Sequence, residues 1–200
     1  MNDTRQRVGV YGGGFDPVHN AHVLLAQTAL KALSLDRVLF VPSAGQAHYK
    51  KVSNLASGEH RLAMLNLALE NEPALQASDI EIKQEAFCYT IDTLRTLRNE
   101  NPETDLILLI GGDWKEKLYT WKEGEKIPQE FSVALFSRPG ADVETNLAPA
   151  DPSERIYTVK MPLMDISSSN IRERLREGQP ITGMVPDAVC EYIQTNQLYR

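Results

Sequence analysis

Strand-length apolar runs alternate along this chain with stretches whose apolar residues return every three or four positions. That alternation restricts the fold more than any other feature of the sequence. Val8–Tyr11 is the first run and ends in glycines. Ala21, Leu24, Leu25, Ala29, Ala32 and Leu33 follow at helical spacing. Arg37–Val41 is the second run, stopped by Pro42. Ser57, Glu59 and His60 can open a helix that carries Leu62, Leu65 and Leu69. Asp79–Ile82 alternates acidic and apolar residues and predicts a third strand. Thr90–Arg98, with Ile91, Leu94 and Leu97 three apart, predicts a helix. "DLILLI", Asp105–Ile110, is the most continuously apolar run and reads as the centre of a sheet covered on both faces. Phe131–Phe136 and Ile156–Val159 supply two more strands, and Ser167–Glu177 and Pro186–Gln194 two more helices. Strands that take turns with helices in this way predict an α/β fold: a doubly wound, mainly parallel sheet with helices on both faces. The loops leaving the carboxyl ends of such strands lie along one edge, where these folds bind ligands.

A length of 200 residues suits a single domain spanning 1–200, with the C-terminal helices (about 167–200) packing as a small subdomain. Gly140–Pro152 reads as an exposed connection and Ser43–Ser57 as a surface loop. The formal net charge of -6 argues against a long nucleic-acid track while leaving room for a locally basic pocket for a small anion. Cys88 and Cys190 lie far apart without metal-ligand spacing, as expected of two reduced cysteines. The polar opening MNDTRQ and the lack of a long apolar segment predict a cytoplasmic protein with no membrane partner. Association into a homo-oligomer is compatible with this composition.

Two stretches concentrate chemistry. In "YGGGFDPVHNAH", Tyr11–His22, Gly12, Gly13 and Gly14 close a strand just before a helix, so exposed N–H groups can face a phosphate. A helix starting near Asn20 brings His19 and His22 together at its positive end, where imidazoles can donate to phosphate oxygens. The rival reading, a zinc site, lacks a third ligand nearby. In "DISSSNIRERLREG", Ser167–Ser169 are N-cap candidates, and Arg172 follows one turn in. This is either a capped helix with solvated charges or a second phosphate site built from hydroxyls, free N–H groups and a guanidinium.

"GGGFDPVHNAH" resembles the G-G-T-F-D-P-x-H-x-G-H signature of the nucleotidylyltransferase superfamily, and Ser168, Ser169 and Arg172 resemble its I-S-S-T-x-I-R motif. Gly14 stands where the family has Thr or Ser, and Ala21 where it has Gly. "CYTIDTLRTLR", "LLIGGDWKEKLYTWKEGEKI", "SRPG" and "VPDAVCEYIQTNQLY" are similar to segments of nicotinate-nucleotide adenylyltransferases, so the resemblance covers nearly the whole chain. It implies a Rossmann-like nucleotidyltransferase that moves AMP from ATP to nicotinate mononucleotide, yielding deamido-NAD and pyrophosphate in NAD biosynthesis. By the same resemblance ATP is met by Gly12, Gly13, Gly14, Phe15, His19, His22, Gly111, Asp113, Ser168, Ser169 and Arg172. The mononucleotide is met by Tyr89, Thr90, Trp121 and Arg138. His22, His19 and Lys50 carry catalysis.

"PSAGQAHYKK" departs from the family's P-x-x-x-P-P-H-K, with Lys50 or Lys51 as the phosphate lysine and His48 as the adjacent histidine. Trp114 replaces a smaller residue after Asp113. Mg²⁺ is expected to arrive on the ATP, with no metal held by the protein alone. Trp121, Thr90 and Asp113 also have bland readings as a core residue and helix caps. Transfer to nicotinamide mononucleotide or another small phosphate acceptor is the alternative activity, and a non-enzymatic nucleotide sensor the alternative class.

Overall fold

The structure is a computed structural model that describes residues 5–44, 55–84, 88–111, 115–137, 155–162 and 164–200. Six strands, β1 (Gln6–Gly13), β2 (Arg37–Pro42), β3 (Leu75–Ala77), β4 (Thr104–Gly111), β5 (Ser132–Ser137) and β6 (Ile156–Lys160), form one sheet in the order β3-β2-β1-β4-β5-β6. The pairs β1–β4, β4–β5 and β5–β6 are parallel, with Val8 opposite Leu106 and Tyr11 opposite Leu109. Between the strands run α1 (Asn20–Ala32), α2 (Gly58–Leu69), α3 (Thr90–Glu100), α4 (Lys115–Leu118) and α5 (Ile127–Glu130), and after β6 come α6 (Ser168–Arg176) and α7 (Asp187–Thr195). This is the doubly wound, Rossmann-like architecture expected. "DLILLI" lies in β4, flanked on both sides, and Leu106–Ile110 are all buried. The strand order reverses between β1 and β4. Ligands of open α/β sheets bind in the crevice at such a reversal, beyond the strand ends. Here β1 ends at Gly13 and β4 at Gly111.

The expected strand at Asp79–Ile82 is wrong. The third strand is Leu75–Ala77, and Asp79–Gln84 coils instead. Lys83 N–H donates to the Asp79 carbonyl at 2.9 Å, and the Lys83 ammonium sits 2.8 Å from the Asp79 carboxylate. Four alternating residues satisfy a period of two, but the Asp79–Lys83 spacing also satisfies one helical turn, and the ion pair favours the turn.

Two compact units emerge. One comprises Met1–Gly12, Leu25–Leu39 and Cys88–Leu163. Its core is Val8, Val10, Ile107, Leu109, Val133 and Leu135, with α3 against β4 and α5 against β5. Gly9 permits that packing, since a Cβ there would stand 2.9 Å from side-chain carbons of both Leu109 and Leu35. The other comprises Gly13–Leu24, Phe40–Phe87 and Met164–Arg200. In it α2 packs on β3 and α7, and Ser57 caps α2 by accepting from His60 N–H. The buried face of α2 is Arg61, Met64, Leu65 and Leu69, while the expected Leu62 is only half-buried. Among the described residues no helix is long and apolar enough to cross a membrane.

Candidate active site

The glycine turn is held by its carbonyls. Gly13 C=O accepts from Ser43 N–H (3.0 Å), Gly14 C=O from Arg61 Nη1 (2.8 Å), Asp16 C=O from Arg172 Nη1 (2.6 Å) and Pro17 C=O from Ser168 Oγ (2.9 Å). The donors come from the exit of β2 and from α2 and α6, so elements far apart in sequence fix each peptide plane. A planar trans peptide points its N–H opposite its C=O. The Gly14 and Phe15 amides are therefore turned away from these anchors, as an anion cradle requires. Phe15 adopts a left-handed backbone (φ 47°), and its ring is buried beside Phe40 and edge-on to His22, 5.0 Å between centroids.

The two histidines stack, with ring centroids 3.6 Å apart and planes 19° from parallel. His19 N–H donates to His22 Nδ1 at 3.2 Å, which puts the proton of neutral His22 on Nε2 and makes that atom a donor. His19 is buried and His22 half-buried. Burial pushes the His19 imidazole down to about 4. Burial, followed by the proximity of His19, holds His22 well below the ordinary histidine value. Both rings are therefore neutral near pH 7 and act as hydrogen-bond donors rather than fixed cations. His19 Nδ1 is buried without a hydrogen-bond partner among the described residues.

Ser167 caps α6 by accepting from Asn170 N–H at 3.2 Å, which leaves Ser168 and Ser169 for other work. Ser168 anchors the turn, and Ser169 Oγ accepts from Arg172 Nη2 at 3.4 Å. Gly13, Gly14, Phe15, His19, His22, Ser168, Ser169 and Arg172 thus gather in one cluster. Sequence reasoning missed three residues beneath it. Arg61 holds the carbonyls of both Gly14 and Ser43 (2.7 Å) from a buried position; burial opposes its charge, and Asp16 is foremost among the groups that restore it. Asp16 Oδ1 accepts from Ala56 N–H (3.1 Å) and from the Tyr199 hydroxyl. The available signal was Arg61 itself, a charged residue one turn before Leu65 on the apolar stripe.

A second cluster forms where α3 begins. Asp92 and Thr93 N–H both donate to the Tyr89 carbonyl, with Thr90 the first helical residue. The Lys122 ammonium lies 4.6 Å from the Tyr89 ring centre and 2.9 Å from the Asp92 carboxylate, which brings the Trp121–Lys122 turn to Tyr89. Trp121 is half-buried, neither a core residue nor fully exposed. Glu123 and Glu130 pair with Arg95 just behind this turn. Gly111 closes β4 opposite Phe136 of β5. Lys50, Asp113 and Arg138, with His48, Lys51 and Trp114, lie outside the described residues.

A cytidylyltransferase-like family model matches residues 10–174. A probable nicotinate-nucleotide adenylyltransferase of Thermomicrobium roseum is 39% identical over 97% of this chain and 92% of its own length. One from Thermus thermophilus is 39% identical over 97% of this chain and 100% of its own length. The chain belongs to the nicotinate-nucleotide adenylyltransferase family. The fold agrees: a Plasmodium falciparum nicotinic acid mononucleotide adenylyltransferase complexed with NaAD superposes with a TM-score of 0.80 over 97% of each chain, at 21% identity. Gly14, where the signature that the turn resembles has Thr or Ser, keeps its carbonyl anchored by Arg61.

Proposed function

We propose that this chain transfers AMP from ATP to nicotinate mononucleotide, forming deamido-NAD and pyrophosphate. The observation that carries the reading is the pair of stacked, neutral imidazoles beside a glycine turn whose Gly13 and Gly14 carbonyls are anchored by Ser43 and Arg61, so that the Gly14 and Phe15 amides face away from those anchors. Donors without charge at pH 7, aimed where phosphate charge builds up, stabilise a transition state without trapping the product.

An oxygen of the mononucleotide phosphate attacks the α-phosphorus of ATP in line, and the bond to the bridging oxygen of pyrophosphate breaks. The attacking oxygen is already anionic, so no general base is needed, and catalysis consists of positioning and charge stabilisation. His22 Nε2–H and the Gly14 and Phe15 amides meet the α-phosphate, and His19 the neighbouring phosphates. Ser169, Arg172 and Lys50 receive the leaving pyrophosphate. Asp113 accepts from ribose hydroxyls, and Gly12 and Gly111 let the nucleotide approach the strand ends. Tyr89, Thr90, Trp121 and Arg138 take the pyridine mononucleotide, with Trp121 on the ring face. Enzymes of this kind work with a divalent metal and ATP. Imidazoles, hydroxyls and a guanidinium suit phosphate oxygens better than a hard cation, so Mg²⁺ would enter with the ATP and would offset part of the triphosphate charge. The reaction belongs in the cytoplasm, where ATP is at hand.

Pyrophosphate release should be measured with ATP and CTP against nicotinate mononucleotide, nicotinamide mononucleotide and phosphopantetheine. Release with ATP and nicotinate mononucleotide is expected, and silence with both pyridine nucleotides would overturn the reading. His22→Ala should lower kcat by about 100-fold or more with the fold intact, as loss of a transition-state donor does. Near-normal turnover in that variant would remove His22 from the mechanism.

A further inference from the structure

Tyr199 follows α7 in a short segment where it and Gln197 both have left-handed backbones, φ 64° and 52°. Residues with side chains adopt that conformation at a cost, so something must hold it in place. What it achieves is burial: Tyr199 is 5% exposed, and its hydroxyl donates to Asp16 Oδ1. Burial, reinforced by the Asp16 carboxylate, raises the phenol far above its ordinary value, so the hydroxyl keeps its proton and remains a donor.

Asp16 closes the glycine turn and is itself buried. Arg172 holds its carbonyl at 2.6 Å, and Ala56 N–H and Tyr199 hold its carboxylate. The residue before it, Phe15, is the left-handed one whose ring lies edge-on to His22. A backbone in that region is set by its neighbours, and the carboxylate is the only side-chain handle Asp16 offers. The chain of contacts therefore runs from Tyr199 to Asp16, to Phe15, to His22.

The geometry points to Tyr199 as a positioning residue for the phosphate-binding turn: by fixing the Asp16 carboxylate it sets the pose of Phe15 and, through Phe15, the orientation of His22. Tyr199 touches neither substrate nor reacting atoms. This role rests on the reading of the turn as the ATP site, so one of its tests does not involve ATP.

Tyr199→Phe keeps the ring and removes the donor. In the free protein, ¹⁵N spectra of the His22 imidazole should move from a single Nε2–H tautomer toward an average of two. Kinetically, the KM for ATP should rise about tenfold or more, the scale of one lost hydrogen bond to a charged group, while the KM for the mononucleotide stays within about twofold. An unchanged His22 spectrum, an unchanged KM for ATP, or an equal change in both KM values would each overturn the proposal. If wild-type protein transfers no adenylyl group, the ATP reading fails, while the His22 spectrum still decides whether Tyr199 reaches that ring. Should Tyr199→Phe not fold, Asp16→Asn, which keeps the shape and removes the charge, takes its place: the same spectral shift and the same rise in the KM for ATP are expected, and their absence overturns the proposal equally.

Discussion

Around Gly14 a Cβ would meet nothing within 4 Å, and the residue is exposed. The signature that this turn resembles has a hydroxyl at this position, and its absence here reflects neither crowding nor a forbidden backbone. Gly14→Ser should fold as the wild type does and lower the KM for ATP by about two- to fivefold, the gain from one added neutral donor. Steady-state kinetics beside a thermal melt checks this, and an unchanged or higher KM would show that the turn already satisfies the phosphate there. At this scale the site was legible wherever chemistry and spacing coincide: two histidines three apart after glycines, and serines opening a helix with an arginine one turn on. Asp16, Arg61 and Tyr199 were not legible, because what matters about them is a partner 40 to 183 positions away. Composition and local period carry no trace of such pairings. His22 shows the same limit, since its tautomer follows from a backbone N–H that only the folded turn supplies.

Between α4 and α5 the chain passes through a turn that no periodicity announces. Gly124 is buried there, and a Cβ on it would stand 2.1 Å from the Leu118 carbonyl oxygen, inside any allowed contact. Its N–H closes the turn onto the Trp121 carbonyl at 3.0 Å, and Glu123 beside it pairs with Arg95 of α3 at 3.2 Å. Gly124→Ala must therefore open the turn that carries Trp121. A loss of about 2 kcal/mol in urea unfolding is expected, typical of forced overpacking. The KM for the mononucleotide should rise more than that for ATP. Equal changes in the two KM values would separate this turn from the pyridine end of the reaction. Elements with a long, strongly periodic face were readable from sequence, as β4 and α3 were. Leu75–Ala77 was not, because three residues are too few to show a period, and the acid–apolar alternation just after it imitates a strand.

The histidines connect the site to the stability of the whole molecule. In the unfolded chain they titrate near 6.5, whereas folding lowers His19 to about 4 and His22 in the same direction. Between those values the unfolded state binds more protons, so stability is complete above about pH 6.5 and declines as the pH falls toward 4. The His19 shift alone corresponds to at most about 3 kcal/mol across that window. Glu123 behaves separately: Lys126 and Arg95 hold its carboxylate down to about 2, so its contribution is lost only below the ordinary carboxylate value of 4.5. From pH 6.5 down to about 5 the slope therefore belongs to the imidazoles. Urea midpoints of the wild type should fall steadily over that range, and those of His19→Asn should fall less. A wild-type midpoint flat between pH 7 and pH 5, or a His19→Asn variant with the wild-type slope, would mean that the stacked pair is not held neutral by the fold. The mechanism would then have to start from a charged imidazole.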